Sequence, residues 1–443
     1  MASTPSLRST DAAAAAVAAP PEPVPGAAAG EPTPALRPAW AEIDLDALAA
    51  NFERLSRLAA PAGVLAVVKA DAYGHGAPEV ARALERAGAE WAGVALLEEG
   101  AALRRAGVAL PILVLGAAQE SQLPLYRRYR LTPTLSSLGQ LELWRAWARR
   151  AGGDGSPFEV HLKVDTGMHR LGVPAAAAGE ALERLRAEPR LRLAGLLSHL
   201  AEADDPVSPA NRAQERRFGA VVDLLTAAER ERVLVHLANS AAMLHLPATR
   251  HRLVRLGLAL YGLDPAGAAG GPAAGLTPVL SVVARVVQLH RLEPGEAVGY
   301  GGRWRAARVS EIAIVPVGYA DGYPWRLSTG AGAPGAPPAE ALVGGRRVPL
   351  AGAVSMDMLA LDVTGAGAGL GAEVVLLGRR GGEEITAWEL ARRAGTIPYE
   401  LLCGLGLRLP RRYLGGGREE PPRGERGAPS APGPEGAPVR TRR

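Results

Sequence analysis

The sequence predicts an α/β protein, a (β/α)8 TIM-like barrel followed by a mostly-β C-terminal domain. Eight short β-branched or aliphatic runs carry the first half of that reading: 65–69, 91–96, 112–115, 131–135, 158–164, 193–198, 234–238 and 253–258. Stretches of helical period rich in Ala, Leu, Glu and Arg follow most of them, at 77–88, 98–106, 136–151, 174–187 and 211–229. That alternation is the pattern of a barrel. After about residue 275 the pattern changes to strand-like runs at 280–290, 311–317, 341–348, 353–362 and 372–377, with Gly/Pro turns and one helix near 386–394, which reads as a β-rich domain. A doubly wound open sheet is the alternative for the first part, but no G-x-G-x-x-G follows the first strand.

Composition divides the chain further. Residues 1–38 are mostly Ala and Pro, and residues 415–443 are Gly, Pro, Arg and Glu. Neither segment has the apolar side chains to offset its ordering entropy, so both are expected to be disordered tails. The barrel domain is then 39–275 and the β-rich domain 276–414, with 39–45 open to being a strand of the second. The stretch 328–339 is low-complexity and reads as a surface loop. The N-terminal Ala run is interrupted by Asp11 and followed by Pro and Glu, a poor match to a signal peptide. No apolar stretch approaches the roughly 20 residues that span a bilayer. Cys403 is the single cysteine, which excludes an intramolecular disulfide. A cytoplasmic protein with no membrane partner is expected. A formal net charge of +5 with interleaved acidic residues gives no basis for a nucleic-acid partner, and the basic end at Arg440, Arg442 and Arg443 reads as a solvated tail. No metal-ligand set is expected.

The basic residues are unevenly divided. Of 50 Lys plus Arg, two are lysine, Lys69 and Lys163. Guanidinium stays protonated at ordinary pH, whereas an amine can lose its proton and attack a carbonyl. Lysine kept at two positions is consistent with amine chemistry; lysine loss under GC-rich coding is the alternative. Polar residues also gather where barrel strands end: Lys69, Lys163 with Asp165, His199, His236 with Ser240, and Arg255. Barrel active sites form at that rim. His161, Lys163 and Asp165 share parity and so project to one face of their strand.

The run A-V-V-K-A-D-A-Y-G-H-G at 66–76 resembles the cofactor-lysine signature of bacterial alanine racemases, pyridoxal-phosphate (PLP) enzymes of fold type III. Further segments match that family in order: L-K-V-D-T-G-M-H-R-L-G (162–172), H-L-A-N-S (236–240), R-L-G-L-A-L-Y-G (255–262), G-Y-G (299–301), G-Y-A-D-G-Y-P (318–324), V-S-M-D-M (354–358) and I-P-Y-E-L (397–401). The resemblance spans nearly all of 40–413. His169 stands where many relatives carry Gly, and Ser355 where many carry Cys.

The resemblance implies a PLP-dependent racemase interconverting L- and D-alanine by two bases, supplying D-alanine for peptidoglycan. Lys69 would hold the cofactor; a strand-end lysine reaching to solvent is the structural alternative. Tyr73, Ser240, Gly257, Leu258 and Tyr399 would take its phosphate, with Ser240 also readable as a helix N-cap. Arg255 would face the pyridine nitrogen and leave it unprotonated, unless it is a structural ion-pair arginine. Behind it His236 would support Arg255, and His199 would serve the cofactor side. Tyr300 is implied as the second base, reaching the barrel of the partner in a homodimer, with Arg170 and His199 available to lower the pKa of its phenol. Arg170 would grip the substrate carboxylate, while Met356 and Asp357 would close the pocket with Tyr300 and Tyr399. Lys163 would be carbamylated and orient Arg170, or else pair with Asp165.

Rival readings share the plan. A decarboxylase of this fold needs a catalytic Cys near a late acidic motif, and Cys403 in L-L-C-G-L lacks that context. A broad-specificity amino-acid racemase is separated only by pocket size. A non-catalytic PLP-binding protein of the single-barrel kind has no second domain and no equivalent of Tyr300.

Overall fold

Aliphatic runs become the inner wall of a nearly closed barrel. The computed structural model describes residues 37–150, 156–267, 271–335 and 337–416, so both tails expected from composition fall almost wholly outside the described residues. The eight barrel strands are Gly63–Val67, Trp91–Val94, Ile112–Val114, Leu131–Leu135, Phe158–Asp165, Leu191–Leu197, Leu234–His236 and Leu253–Leu256. Each pairs in parallel with the next through the seventh, and the eighth returns to the first, Leu253 opposite Gly63 and Leu256 opposite Ala66. At the remaining seam, two single bonds join strands seven and eight: Arg252 N–H to the Val235 carbonyl and Arg255 N–H to the Ala238 carbonyl. All eight fall on the expected runs, with no end displaced by more than two residues.

The helices follow from stripes and caps. Leu45–Ala59 buries Leu45, Leu48, Phe52, Leu55 and Ala59 on one face, the spacing that packs a helix against a barrel. Asp44 caps it by accepting the N–H groups of Asp46 and Ala47. The single helix expected over 211–229 is two, Pro209–Val222 and Ala227–Arg232. Thr226 and Glu229 form a reciprocal capping box that starts a new helix, and this local signal overrides the continuing periodicity.

The second part is built on antiparallel strands. One sheet runs in the order Arg346–Pro349, Glu340–Val343, Glu373–Arg380, Leu280–Arg285, Ala39–Asp44, Arg411–Leu414. The segment left open in the sequence reading, Ala39–Asp44, lies in this sheet: it is antiparallel to Leu280–Arg285 and parallel to Arg411–Leu414. A three-stranded sheet joins Gln288–Leu292, Ser310–Val315 and Leu359–Asp362. Two runs expected as single strands are split. The 280–290 run is Leu280–Arg285 and Gln288–Leu292, and the 341–348 run is a hairpin turning at Gly344–Gly345. Of the 353–362 run only Leu359–Asp362 is strand, because Ser355 ties the preceding loop to Met358 by three hydrogen bonds. Among the described residues no helix is long and apolar enough to cross a membrane.

Candidate active site

Lys69 does not end a strand. Strand one stops at Val67, and Lys69 opens a short turn, Lys69–Gly74, in which Ala70, Asp71, Ala72 and Tyr73 all have φ between 51° and 54°. Four successive L-residues in a left-handed conformation cost on the order of 4–8 kcal/mol at about 1–2 kcal/mol each, and such strain persists only where its surroundings over-determine it. The braces are visible. Glu99 Oε1 accepts the Ala70 N–H, while its Oε2 accepts those of Ala95 and Leu96 in the loop after strand two. Asp71 Oδ1 accepts from Ala77 N–H. The Arg411 guanidinium donates twice to the Gly74 carbonyl, at 3.1 and 2.9 Å. A Cβ on Gly74 would lie 2.2 Å from the Leu402 carbonyl oxygen, so the close approach admits glycine alone.

Lys69 lines a cavity of about 720 Å³, within the usual range of small-molecule sites, about 300–1,000 Å³. Lys163, Arg170 and Arg255 share its wall, and Asp204 is the one carboxylate there. Burial first, then Arg170 and Arg255, lower the pKa of the Lys69 amine, against the opposing pull of Glu99. Lys163 falls to about 8, by burial and then by Arg255 and Arg170. Among the described residues Lys163 has no ion pair, so the expected alternative of a Lys163–Asp165 pair is not found. Asp165 instead caps the next turn, its Oδ1 accepting from the N–H groups of Gly167, Met168 and His169. That cap holds His169 at φ 55°, with His169 Nδ1 3.3 Å from Asp165 Oδ2, which is how a histidine occupies a position where glycine would be freer.

Arg255 is buried and, among the described residues, makes no bond to a carboxylate. It donates to the carbonyls of His236, Ser198 and Leu237 at 2.9, 2.8 and 3.0 Å, to His236 Nδ1 at 3.2 Å and to His199 Nδ1 at 3.1 Å. The alternative of a structural ion-pair arginine therefore fails. Burial lowers its pKa to about 10, which leaves it cationic near neutrality. Burial and Arg255 together keep His199 and His236 far below the usual imidazole value, so both are neutral.

Ser240, Gly257, Leu258, Tyr73 and Tyr399 meet on another part of the same wall. Ser240 Oγ accepts the Gly257 N–H at 2.8 Å and faces that of Ala259 at 3.4 Å. The N-cap of the helix Ser240–His245 is Asn239, whose side chain accepts from Ala242 N–H; the cap reading of Ser240 is corrected accordingly, because the Ser240 hydroxyl turns toward strand eight. A Cβ on Gly257 would sit 2.6 Å from the Tyr73 hydroxyl, so glycine leaves the phenol its place. Burial raises the pKa of both phenols, Tyr399 to about 12. Four cations facing one carboxylate, with hydroxyls beside them, leave positive charge that a bound anion would neutralise. A primary amine among those cations completes the donor set for a phosphate-bearing aldehyde, and the residues present fit PLP.

Three predicted residues stand apart. Tyr300 is 78% exposed, and Met356 and Asp357 are exposed as well. Tyr300 lines a separate, mostly apolar depression with Val298, Ala353 and Met358, and Asp357 Oδ1 accepts from Arg408 at 2.6 Å. Within one chain, then, they do not join Tyr399 in closing the Lys69 cavity. The sequence reading missed Glu99 and Arg411 as braces, and set Cys403 aside although it lines this cavity. The only available signal was position: L-E-E-G opens a helix at the end of strand two, where a glutamate meets free N–H groups.

The family models for the alanine racemase N-terminal and C-terminal domains match residues 43–265 and 279–413. The chain is 43% identical to the alanine racemase of Symbiobacterium thermophilum over 86% of this chain and 98% of that one. The biosynthetic alanine racemase of Pseudomonas aeruginosa superposes with TM-score 0.75 at 39% identity, covering 86% of this chain and 100% of that one. The Bartonella henselae alanine racemase, solved with covalently bound pyridoxal phosphate, superposes with TM-score 0.74 at 30% identity over 85% of this chain and 99% of that one. With both halves matched in order over one continuous fold, this chain belongs to the alanine racemase family.

Proposed function

We propose that this chain interconverts L- and D-alanine with pyridoxal 5′-phosphate, in the cytoplasm, as a homodimer whose subunits complete each other's sites. The supporting observation is a pKa-lowered amine, Lys69, in a cavity whose remaining charged wall is Lys163, Arg170 and Arg255 with Asp204. In this reading 39–275 is the cofactor-binding domain and 276–414 the domain that presents Tyr300. The phosphate is held by Tyr73, Ser240, Gly257, Leu258 and Tyr399, with His199 packed on the cofactor side. When bound, PLP supplies an aldehyde for amine condensation and a conjugated ring that acidifies the substrate Cα–H.

The residues perform the rest. Lys69 Nζ, its ammonium form disfavoured by burial and by Arg170, takes or returns the proton on one face of Cα. Tyr300 Oη, from the partner subunit, serves the opposite face, and Arg170 and His199 assist its ionisation. Arg255 would face the ring nitrogen and, cationic near neutrality, would not give it a proton, so more of the task would fall on the two bases. Arg170 pairs with the substrate carboxylate. The Lys163 amine, lowered to about 8 against the pull of Asp165, adds to carbon dioxide with loss of a proton, giving a carbamate anion that orients Arg170. Met356 and Asp357 narrow the pocket of the neighbouring subunit to a small side chain. D-alanine so formed feeds peptidoglycan.

Chiral analysis after incubation with L-alanine tests this reading. D-alanine appears and vanishes on borohydride reduction of the holoenzyme, which fixes the cofactor to Lys69 irreversibly. Comparable turnover of L-serine and L-lysine replaces the narrow reading by a broad-specificity racemase, and no turnover of any amino acid overturns both.

A further inference from the structure

We infer that His161 is a positioning residue, the buried end of a hydrogen-bonded row, Arg255–His236–His161, that decides which nitrogen of His236 is free to accept from Arg255 and thereby holds the guanidinium in place. The inference rests on the reading of Arg255 as the group facing the cofactor ring.

The row has one possible direction. Guanidinium N–H groups only donate, so His236 Nδ1, 3.2 Å from Arg255, must accept. A neutral imidazole then carries its proton on Nε2, and His236 Nε2 lies 3.0 Å from His161 Nδ1. That contact makes His161 Nδ1 the second acceptor and puts the His161 proton on Nε2. Burial and Arg255 hold His161 near pKa 3, which keeps it neutral as the row requires. His161 Nε2 is buried without a hydrogen-bond partner, and the reversed tautomers would set an imidazole N–H against the arginine N–H. The one pattern that satisfies both contacts therefore needs an acceptor at His161 Nδ1, which pins the His236 proton on Nε2 and leaves Nδ1 to Arg255.

Strand five carries His161 two residues before Lys163, strand seven carries His236 and strand eight Arg255, so the row links three strands of the barrel and reaches the cavity wall at Arg255. Space for it comes from Gly195 on strand six, where a Cβ would lie 2.2 Å from His161 Nδ1. Trp91 packs with its ring centroid 5.3 Å from that of His161. Without the His161 acceptor the His236 Nε2–H is buried and unpaired, and a ring flip or tautomer change that relieves it breaks the bond to Arg255.

Two measurements on the holoenzyme test the inference. Nitrogen-15 NMR of labelled histidines is expected to show His161 and His236 neutral at pH 7 with protons on Nε2; a cationic ring, or a proton on Nδ1 of either, overturns it. His161→Phe keeps a ring against Trp91 and removes both nitrogens, whereas His161→Asn keeps an oxygen where Nδ1 stood. The expected result is a roughly tenfold fall in kcat for His161→Phe with KM within about twofold, and recovery to within about threefold of the unmodified enzyme for His161→Asn. Equal losses in both variants, or no loss in His161→Phe, overturn the inference, and if His161→Phe does not fold the NMR result decides alone. Arg255→Lys separates this from the parent reading: an unchanged visible spectrum of the bound cofactor in that variant would mean that Arg255 does not face the ring at all.

Discussion

The turns bearing Lys69 and Tyr300 solve one backbone problem in opposite ways. Both make left-handed excursions after a strand. At Lys69 the excursion uses Ala70, Asp71, Ala72 and Tyr73, none of which adopts that conformation easily, and Glu99, Asp71 and Arg411 hold it from three directions. At Tyr300 it uses glycine, with Gly299, Gly301 and Gly302 at φ 67°, 72° and 53°. Behind Tyr300 stands only the two-residue ladder Ala297–Val298 with Trp304–Arg305, and a Cβ on Gly301 would meet nothing within 4 Å. A costly conformation with braces fixes a group within its own chain. A cheap one leaves the group to be positioned by whatever it docks against. Lys69 is thus fixed within its own chain, and Tyr300 is presented outward.

The largest expected effect comes from mixing defects across that division. Lys69→Ala and Tyr300→Phe homodimers should each lose more than about a thousandfold in racemisation. Subunits exchanged between the two should recover roughly a quarter of normal activity, since half the dimers carry one intact site of two. No recovery on mixing would place both bases in one chain and erase the contrast. Solvent deuterium incorporation by Tyr300→Phe should be unequal from the two alanine enantiomers, and equal near-normal exchange would remove Tyr300 from the reaction. A smaller effect is expected from Glu99→Ala. Losing three backbone contacts to one carboxylate should cost about 2–4 kcal/mol of stability and about tenfold in kcat; denaturant titration with an unchanged midpoint would show that the turn does not need its brace.

The smallest effect is graded with pH. His75, His161, His199 and His236 are all depressed below the ordinary imidazole value, His75 to about 4 and His161 to about 3, burial being the leading cause in each. The unfolded chain therefore binds more protons than the folded one below pH ~6.5. Stability is full above that value and declines as pH falls from 6.5 toward 4, so Tm should drop across that window and be flat above it. A level Tm from pH 7 down to 5 would contradict buried neutral rings. Conversely, the carbamate of Lys163 should strengthen as pH rises through about 8, read by carbon-13 bicarbonate labelling, because only the neutral amine adds carbon dioxide.

Much of the barrel was legible because each strand is a short run rich in aliphatic residues set between turn residues, a pattern that survives single polar positions such as Lys163 and Arg255. The cavity wall was legible where a motif falls on a strand or on the loop that follows it, as at Lys69, Arg170, Ser240 and Arg255. The left-handed turn was not, since A-D-A-Y contains no glycine and its braces lie at Glu99 and Arg411, distant in sequence. The helix break before Thr226 was readable in T-A-A-E but hidden by continuing periodicity. Parity placed His161 on the face of Lys163, yet its role depends on a ring from strand seven that no reading of strand five supplies. Tyr300, Met356 and Asp357 were recognisable as motif residues, while the structure sets them on the surface, outside the Lys69 cavity of their own chain.

Arg411 and Leu402 belong to the last stretch of the folded chain, and strand Arg411–Leu414 lies beside strand Ala39–Asp44. During synthesis the opening strand, with Trp40 and Ile43, emerges long before Leu280–Arg285 or Arg411–Leu414 exist to cover its edges, a wait on the order of tens of seconds at about 5–20 residues per second. The Lys69 turn lacks its Arg411 brace until the 337 residues that follow Gly74 have been made. A chain that stops short of Arg411 therefore leaves the Gly74 end of that turn without its two guanidinium bonds.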